Sequence, residues 1–207
     1  MVDKCIVTIS HEYGSGGRQI AELVAKEFDI PFYDKDIIRM AAEKSGMSAG
    51  FIEKSDEDIP NTFLHNLKYT AYSNYDTISY YDAPVTDTVF IAQTAVIKEL
   101  AAQGSCVIVG RCSPYILRND PALVAIFIRG LMEDRIRRAV ERNGLPQKNA
   151  IERIKRIDKG RINYFKYYTN RQWGSIENYD LVVNSSVTGI DGAVRVIKAM
   201  VSERCKV

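Results

Sequence analysis

The sequence predicts an α/β fold in which a mostly parallel β-sheet carries helices on both faces. One observation is the recurrence of short apolar runs rich in β-branched residues, which are typical of buried strands. A second is that segments of helical period, ten residues or longer, separate these runs, as in βαβ units. A third is a cluster of glycines directly after the first run. The runs are CIVTIS (5–10), CVIVG (106–110), LVAIFI (123–128) and LVVNSS (181–186).

The first part of the chain predicts a strand, a helix, a second strand and a second helix. CIVTIS ends at a turn signal, and apolar residues then recur at helical spacing from Arg18 to Phe28. IPFYD (30–34) is typical of a brief strand. DKDIIRMAAEKSG (34–46) predicts a helix that ends at Gly46.

The middle of the chain is less regular. Residues 47–84 show little clean periodicity, and the tyrosines in this segment stand at 69, 72, 75, 80 and 81. We expect a mobile, partly helical insert there, with a tyrosine-rich portion at 61–84. Residues 86–103 predict a helix ended by Gly104.

Composition restricts the class of protein. With 207 residues, the chain has the size of one domain, which we expect to span 1–207. A content of 46% hydrophobic and 26% charged residues excludes disorder of the whole chain. The formal charge of +2 is too small to indicate a nucleic-acid partner. No segment approaches the ~20 apolar residues that a membrane span requires, so no membrane partner is expected.

The four cysteines predict free thiols in a reducing cytoplasm. Cys5, Cys106, Cys112 and Cys205 form no CxxC pair, and with only two histidines in the chain a zinc site is not expected. The apolar run at the start is too short for a signal sequence. We therefore expect a cytoplasmic protein.

The glycines after the first strand predict an anion-binding turn. The N–H groups at the start of a helix are unpaired and carry the positive end of the helix dipole, so they favour a phosphate. Arg18 and Gln19 stand where the pattern GxxxxGK[ST] has Lys and Ser or Thr. Arginine keeps the charge and adds a forked donor. Two interpretations stay open, a phosphate loop with altered chemistry and a tight turn that only redirects the chain.

Charged residues follow other strands at the edge where ligands of parallel sheets bind. Asp34 and Asp36 follow the second strand, Arg111 follows CVIVG, and Arg129 follows LVAIFI. A guanidinium at the end of a buried strand indicates that an anionic ligand binds there or that a carboxylate side chain pairs with it. For Arg111 a structural ion pair remains the alternative interpretation.

An arginine-rich stretch runs from Glu133 to Arg171 and is helical by period apart from a break at NGLP (143–146). Arg153 and Arg156 fall about one turn apart and share a face. Such cations could close over the oxygens of a transferring phosphoryl group. A solvent-facing helix is the ordinary alternative. RNA binding is the weaker one, because the net charge is low.

These segments together resemble the cytidylate kinase-like family, a divergent branch of the P-loop nucleoside monophosphate kinases. The resemblance covers nearly the whole chain apart from the tyrosine-rich insert. It implies a three-layer P-loop kinase fold with a five-stranded parallel sheet, a substrate-binding insert at about 47–84 and an arginine-rich lid at about 145–173. The similar segments are SHEYGSGGRQIA, FYDKDII, VIVGRCSPYIL, DRIRRAVERNGL, RIKRIDKGRINYFKYYTNRQWG and NYDLVVNSS.

The resemblance also implies roles for individual residues. The ATP phosphates would lie on Gly14, Ser15, Gly16, Gly17, Arg18 and Gln19. The acceptor nucleotide would lie near Asp34, Asp36, Arg39, Arg111 and Asp158. Catalytic charge neutralisation would come from Arg18, Arg111, Arg153, Arg156 and Arg161. Cys112 stands where the family has aspartate, and Lys35 where typical cytidylate kinases have serine.

The expected activity is therefore transfer of the ATP γ-phosphoryl group to a nucleoside monophosphate, with CMP and dCMP first. Mg²⁺ is expected to arrive with ATP, and no direct ligation by a side chain is expected, although Gln19 could reach the ion through water. Two alternatives stay open: a nucleotide-binding sensor without transfer activity, and a kinase for another small molecule. The oligomeric state does not follow from the sequence.

Overall fold

The structure is a computed structural model that describes residues 4–45 and 85–205. The chain groups into two compact units, Met1–Asp34 with Ile97–Val207, and Lys35–Val96. The insert expected at 47–84 lies outside the described residues. The expectation of a single domain over 1–207 stays a prediction.

The first unit contains a five-stranded, wholly parallel sheet, as expected. Its strands are β1 (Ile6–His11), β2 (Phe32–Tyr33), β3 (Cys106–Val109), β4 (Leu123–Arg129) and β5 (Leu181–Asn184). The spatial order is β2-β3-β1-β4-β5, so β1 is central. Along the register Ile9 pairs with Val109 on one side and Ile126 on the other. The chain therefore leaves β1 for one side of the sheet and returns on the other, which opens a crevice at the carboxyl end of β1.

Seven α-helices occur in the part of the chain that the structure describes. The last helix is interrupted at Gly189, whose φ of 66° and ψ of 178° are not helical. The helices are α1 (Gly17–Glu27), α2 (Asp36–Ser45), α3 (Val85–Gln103), α4 (Ser113–Ile116), α5 (Met132–Asn143), α6 (Ala150–Thr169) and α7 (Ser185–Cys205).

The sheet is buried on both faces, which explains why its strands are continuous apolar runs. On one face, Val24 of α1 and Ile197 of α7 pack against the sheet residues Val7 and Ile126 in one cluster. On the other face, Phe127 packs against the rings of Trp173 and Tyr179, each with a centroid distance of 5.0 Å. In the second unit, Ile38 and Ala42 of α2 pack with Val89 of α3.

The break expected at NGLP separates α5 from α6. Gly144 is the C-terminal cap of α5 and has a φ of 65°, in the left-handed region that favours glycine. The expected strand 181–186 is shorter, because the chain turns into α7 at Ser185. Neither α4 nor α7 was expected from the sequence.

The expectation of four free thiols is wrong for two of them. Cys5, just before β1, and Cys205, the last residue of α7, form a disulfide with a Cα–Cα distance of 5.7 Å. Cys106 and Cys112 are free and buried. The pair joins residues 200 positions apart, so only the fold brings these two cysteines together.

Within the described residues, no helix is long and apolar enough to cross a membrane.

Candidate functional site

The glycine turn joins the central strand to α1. Gly14 has a φ of 79° and Gly16, the N-cap of α1, has a φ of 82°, so both need the left-handed conformation. Gly17 is required for a different reason, since a Cβ there would lie 2.3 Å from the Cβ of His11. The glycines are thus required by the backbone path and by close packing.

Several amides of the turn have no hydrogen-bond partner among the residues that the structure describes. The Ser15 amide donates to the Glu12 carbonyl at 3.1 Å, and the Ile20 amide begins the helical pattern by donating to the Gly16 carbonyl at 3.0 Å. Five further N–H groups donate no hydrogen bond to any other residue that the structure describes. These belong to Gly14, Gly16, Gly17, Arg18 and Gln19. A helix N-terminus preceded by such a turn is suited to an anion.

The two residues at the Lys and Ser/Thr positions of the P-loop pattern bind other side chains. Arg18 is 55% exposed in its side chain, and its Nε lies 2.9 Å from Oδ2 of Asp34. A second contact joins its guanidinium to Glu22 at 3.5 Å. The amide oxygen of Gln19 accepts a hydrogen bond from Arg142 of α5 at 3.0 Å. Arg18 and Asp34, both predicted site residues, therefore lie side by side.

Arg161 of α6 lies at the end of the central strand. Its Nη1 donates to the His11 carbonyl at 2.6 Å, and its guanidinium stands 5.9 Å from the centre of the Tyr13 ring. Desolvation of the imidazole, and next the charge of Arg161, lowers the pKa of His11 to about 3. His11 is therefore neutral at physiological pH. Desolvation also lowers the pKa of Arg161, and the charge of Arg111 lowers it further.

Arg111 occupies a tight turn after β3. Gly110, Arg111 and Cys112 have φ angles of 70°, 58° and 55°, so two non-glycine residues in succession are left-handed. Each such residue costs about 1 kcal/mol or more, and strain of this kind concentrates at functional sites. Desolvation lowers the pKa of Arg111, while the nearby Tyr164 and Asp34 oppose that shift. Arg111, Arg161 and Asp34 therefore interact electrostatically.

Asp158, predicted to bind the acceptor, is bonded to the turn itself. Its Oδ1 accepts a hydrogen bond from the Tyr13 amide at 2.8 Å. Its other oxygen pairs with Arg135 of α5. Arg135 is only 4% exposed, and its Nε donates to the Tyr13 carbonyl at 2.8 Å. Glu12 lies 3.4 Å from the same guanidinium and accepts the Gly130 amide at 2.9 Å.

Arg135, Arg138 and Arg142 of α5 contact the glycine turn and were not among the predicted site residues. Arg138 lies 3.4 Å from the Ser15 carbonyl and 3.4 Å from Oγ of Ser185, whose hydroxyl donates to the same carbonyl at 2.7 Å. The available signal was spacing. Positions 135, 138 and 142 fall on one face of a helix, and the structure turns that face toward the glycine turn.

Four predicted residues make no contact with the glycine turn among the hydrogen bonds and ion pairs of the described residues. Arg153 and Arg156 of α6 are exposed and have no hydrogen bond or ion pair to another residue in the described ranges. Asp36 and Arg39 lie on α2 in the second unit, where Arg39 contacts Glu43 at 3.1 Å and Asp36 at 4.0 Å. The roles of these four stay predictions.

The side chains around the turn offer few direct ligands for Mg²⁺ among the described residues. Within the described residues, no group of three or more His, Cys, Asp or Glu side chains could hold a metal ion. The amide oxygen of Gln19 is the acceptor for Arg142. Mg²⁺ in kinases is commonly held by substrate phosphates, water and only one or two protein groups. The residues present therefore fit an ion carried in on a nucleotide, and a contact of Gln19 with that ion through water stays a prediction.

Comparison with known proteins gives a consistent result. The model of the cytidylate kinase-like family matches residues 6–187. A cytidylate kinase of Methanopyrus kandleri is 22% identical over 205 residues, which cover 95% of this chain and 92% of that protein. A solved structure of an uncharacterized protein from Eubacterium ventriosum has a TM-score of 0.70 at 25% identity, covering 96% of this chain and 99% of that one. A shikimate kinase from Bacteroides thetaiotaomicron has a TM-score of 0.57 at 10% identity, covering 96% and 98%, a likeness in fold alone.

Proposed function

The chain belongs to the cytidylate kinase-like family, and from this premise we propose that it transfers the γ-phosphoryl group of ATP to a nucleoside monophosphate. CMP and dCMP are the first acceptors proposed, because the Methanopyrus relative is named a cytidylate kinase. The observation that carries the proposal is the glycine turn at the exit of the central strand. Its amides, five of which have no partner within residues 4–45 and 85–205, lie among arginines from three parts of the chain.

In the proposed mechanism, the ATP phosphates lie on the glycine turn, residues 14–19, and accept hydrogen bonds from the amides of Gly14, Gly16, Gly17, Arg18 and Gln19. Arg18 exchanges its contact with Asp34 for a phosphate oxygen, and its exposed side chain has room to do so. The γ-phosphoryl group then passes in line to the acceptor phosphate without a covalent intermediate, so positioning and charge neutralisation supply most of the rate. Mg²⁺, when bound with ATP, would neutralise charge on the β- and γ-phosphates.

Arg111 and Arg161 are the residues we propose for the acceptor phosphate and the transferring group. Both have a lowered pKa through desolvation and each feels the charge of Asp34. A guanidinium that is partly removed from water interacts more strongly with an entering anion, because the effective dielectric constant around it is lower than in bulk water. Arg153 and Arg156, exposed on α6, are proposed to join them when the lid closes.

The test is ADP formation from ATP and Mg²⁺ with CMP, dCMP, UMP and AMP offered separately. We expect turnover with one or two pyrimidine acceptors. Arg111→Ala should lower kcat about 10³-fold or more, while Arg195→Ala, which removes an exposed arginine of α7, should leave it unchanged. Absence of ADP with every acceptor, from protein that remains folded, would refute the proposal.

A sensor that binds nucleotide without transfer is the second candidate. The observation favouring it is that Arg18 and Gln19 both bind protein side chains, at the two positions where the P-loop pattern has Lys and Ser or Thr. A sensor should bind ATP with little dependence on Mg²⁺ and make no ADP. A kinase for another small molecule is a third candidate, and adding shikimate to the acceptor panel tests it, because a shikimate kinase shares the fold.

A further inference from the structure

One buried guanidinium joins three segments next to the glycine turn. Arg135 of α5 is 4% exposed and contacts Glu12, Asp158 and the Tyr13 carbonyl. Buried arginines are unusual, because burying a charge is costly unless carboxylates and hydrogen bonds compensate for the lost water. The contacts of Arg135 provide that compensation. The three partners supply two negative charges and one carbonyl for the single positive charge.

Both backbone polar groups of Tyr13 are held by this arrangement. Its N–H donates to Asp158 at 2.8 Å, and its carbonyl accepts from Nε of Arg135 at 2.8 Å. Asp158 belongs to α6 and Arg135 belongs to α5. Tyr13 directly precedes Gly14, the first of the residues whose amides have no partner in the described part of the chain. The orientation of Tyr13 therefore sets the direction in which the turn begins.

The preceding residue is held in the same way. Glu12 stands at the place of the first glycine in GxxxxGK[ST], five positions before Gly17. A glycine there could not contact Arg135 at 3.4 Å or accept the Gly130 amide at 2.9 Å. One turn along α6 from Asp158, Arg161 donates to the His11 carbonyl at 2.6 Å. Residues 11 to 13 are thus bonded to α6 at both ends.

We propose that Arg135 is a positioning residue, which with Glu12 and Asp158 orients the amides of the glycine turn toward the phosphates of ATP. The inference rests on the proposed function in one respect, namely that ATP is the ligand of the turn. It assigns the same function, orientation of the glycine turn, to the Glu12 carboxylate and to Arg135. It also assigns Asp158 to the turn, through the two contacts that its oxygens make.

The experiment compares Arg135→Lys with Arg137→Lys. Lysine keeps the charge but cannot reach three partners through a planar fork. Arg137 lies on the same helix, is 61% exposed and pairs only with Asp134 among the contacts of the described residues, so it is a matched control. The affinity for ATP is measured by calorimetry, and kcat and KM for ATP are measured with the best acceptor. We expect Arg135→Lys to lower kcat/KM for ATP about 10²-fold, the cost of a displacement near 1 Å.

The control variant should stay within about twofold of wild type, as a surface substitution does. A purely structural role for Arg135 would lower the unfolding midpoint while leaving ATP affinity unchanged well below that midpoint. If Arg135→Lys does not fold, Asp158→Asn and Glu12→Gln replace it, since each removes one contact to the guanidinium. Folded variants that bind ATP as tightly as wild type would overturn the inference.

The two proposals fail in different ways. If wild type binds ATP but forms no ADP with any acceptor, transfer is refuted, and the ATP affinities of the variants still decide the role of Arg135. If wild type binds no ATP, the turn is not an ATP site and the inference is overturned together with the proposed function.

Discussion

Acidification should destabilise the protein through His11. The pKa of this imidazole is lowered to about 3, first by desolvation and then by the charge of Arg161, whereas an unfolded chain has a histidine pKa of about 6.5. Between these two values the unfolded state binds one more proton than the folded state. Stability contributed by neutral His11 is therefore complete above about pH 6.5 and is lost as the pH falls toward 3.

The magnitude follows from the same two values. At pH 5 the loss is about 2 kcal/mol, since one and a half pH units below 6.5 cost about 1.4 kcal/mol each. The assay is urea unfolding at pH 7 and pH 5, followed by the fluorescence of Trp173, the single tryptophan, which packs edge-on against Phe127. His11→Asn is the control, because an asparagine amide can donate to the Glu12 carbonyl as His11 Nδ1 does at 3.1 Å.

All other titrating groups are present in both proteins, so their contribution cancels in the difference between them. Wild type should lose about 2 kcal/mol more than His11→Asn between pH 7 and pH 5. A difference below about 0.5 kcal/mol, the scatter of neutral substitutions, would show that the imidazole is well hydrated and would refute the reasoning.

Three further outcomes are expected. Cys205→Ser, or reduction of wild type, should lower the free energy of unfolding by up to about 5 kcal/mol, the chain-entropy estimate for a closed loop of 200 residues. Reductant should not change the stability of Cys205→Ser. Equal urea midpoints with and without the disulfide would contradict this prediction. Gly17→Ala should lower the free energy of unfolding by about 1–3 kcal/mol, because the added Cβ would lie 2.3 Å from the Cβ of His11. A melting curve identical to that of wild type would argue against the described turn. Arg111→Ala and Arg161→Ala should each lower kcat about 10³-fold or more with little change in melting temperature, so turnover within tenfold of wild type for both would count against their proposed roles.

The sheet could be predicted from the sequence because its strands are buried on both faces. Such strands must be continuous apolar runs. CVIVG and LVAIFI are runs of this kind, and their short length between helical segments indicates strands. The glycine turn could be located for a related reason, since a strand, a turn and a helix in succession define one place in a parallel sheet. Arg111 was found because charge at the end of a buried strand needs an explanation.

Other features depend on tertiary contacts that carry no local signal. Arg135 is one of several arginines in a charged helix, and nothing in its neighbourhood marks it as the buried one until α5 packs beside the turn. The bond between Cys5 and Cys205 depends on where α7 ends relative to β1. The helix α7 differs from these two features, because the helical spacing of Val194, Ile197 and Val201 is a local signal, yet this helix was not among the predicted elements.

The bond between Cys5 and Cys205 also has a consequence for how the chain could be rearranged. Since their Cα atoms lie 5.7 Å apart, a short peptide could replace the sulfur link and make the polypeptide a closed ring. The ring could then be opened at the exposed break between α5 and α6, near Gly144. A circular permutant of this kind would begin with α6 and end with α5, and it should still form the sheet order β2-β3-β1-β4-β5.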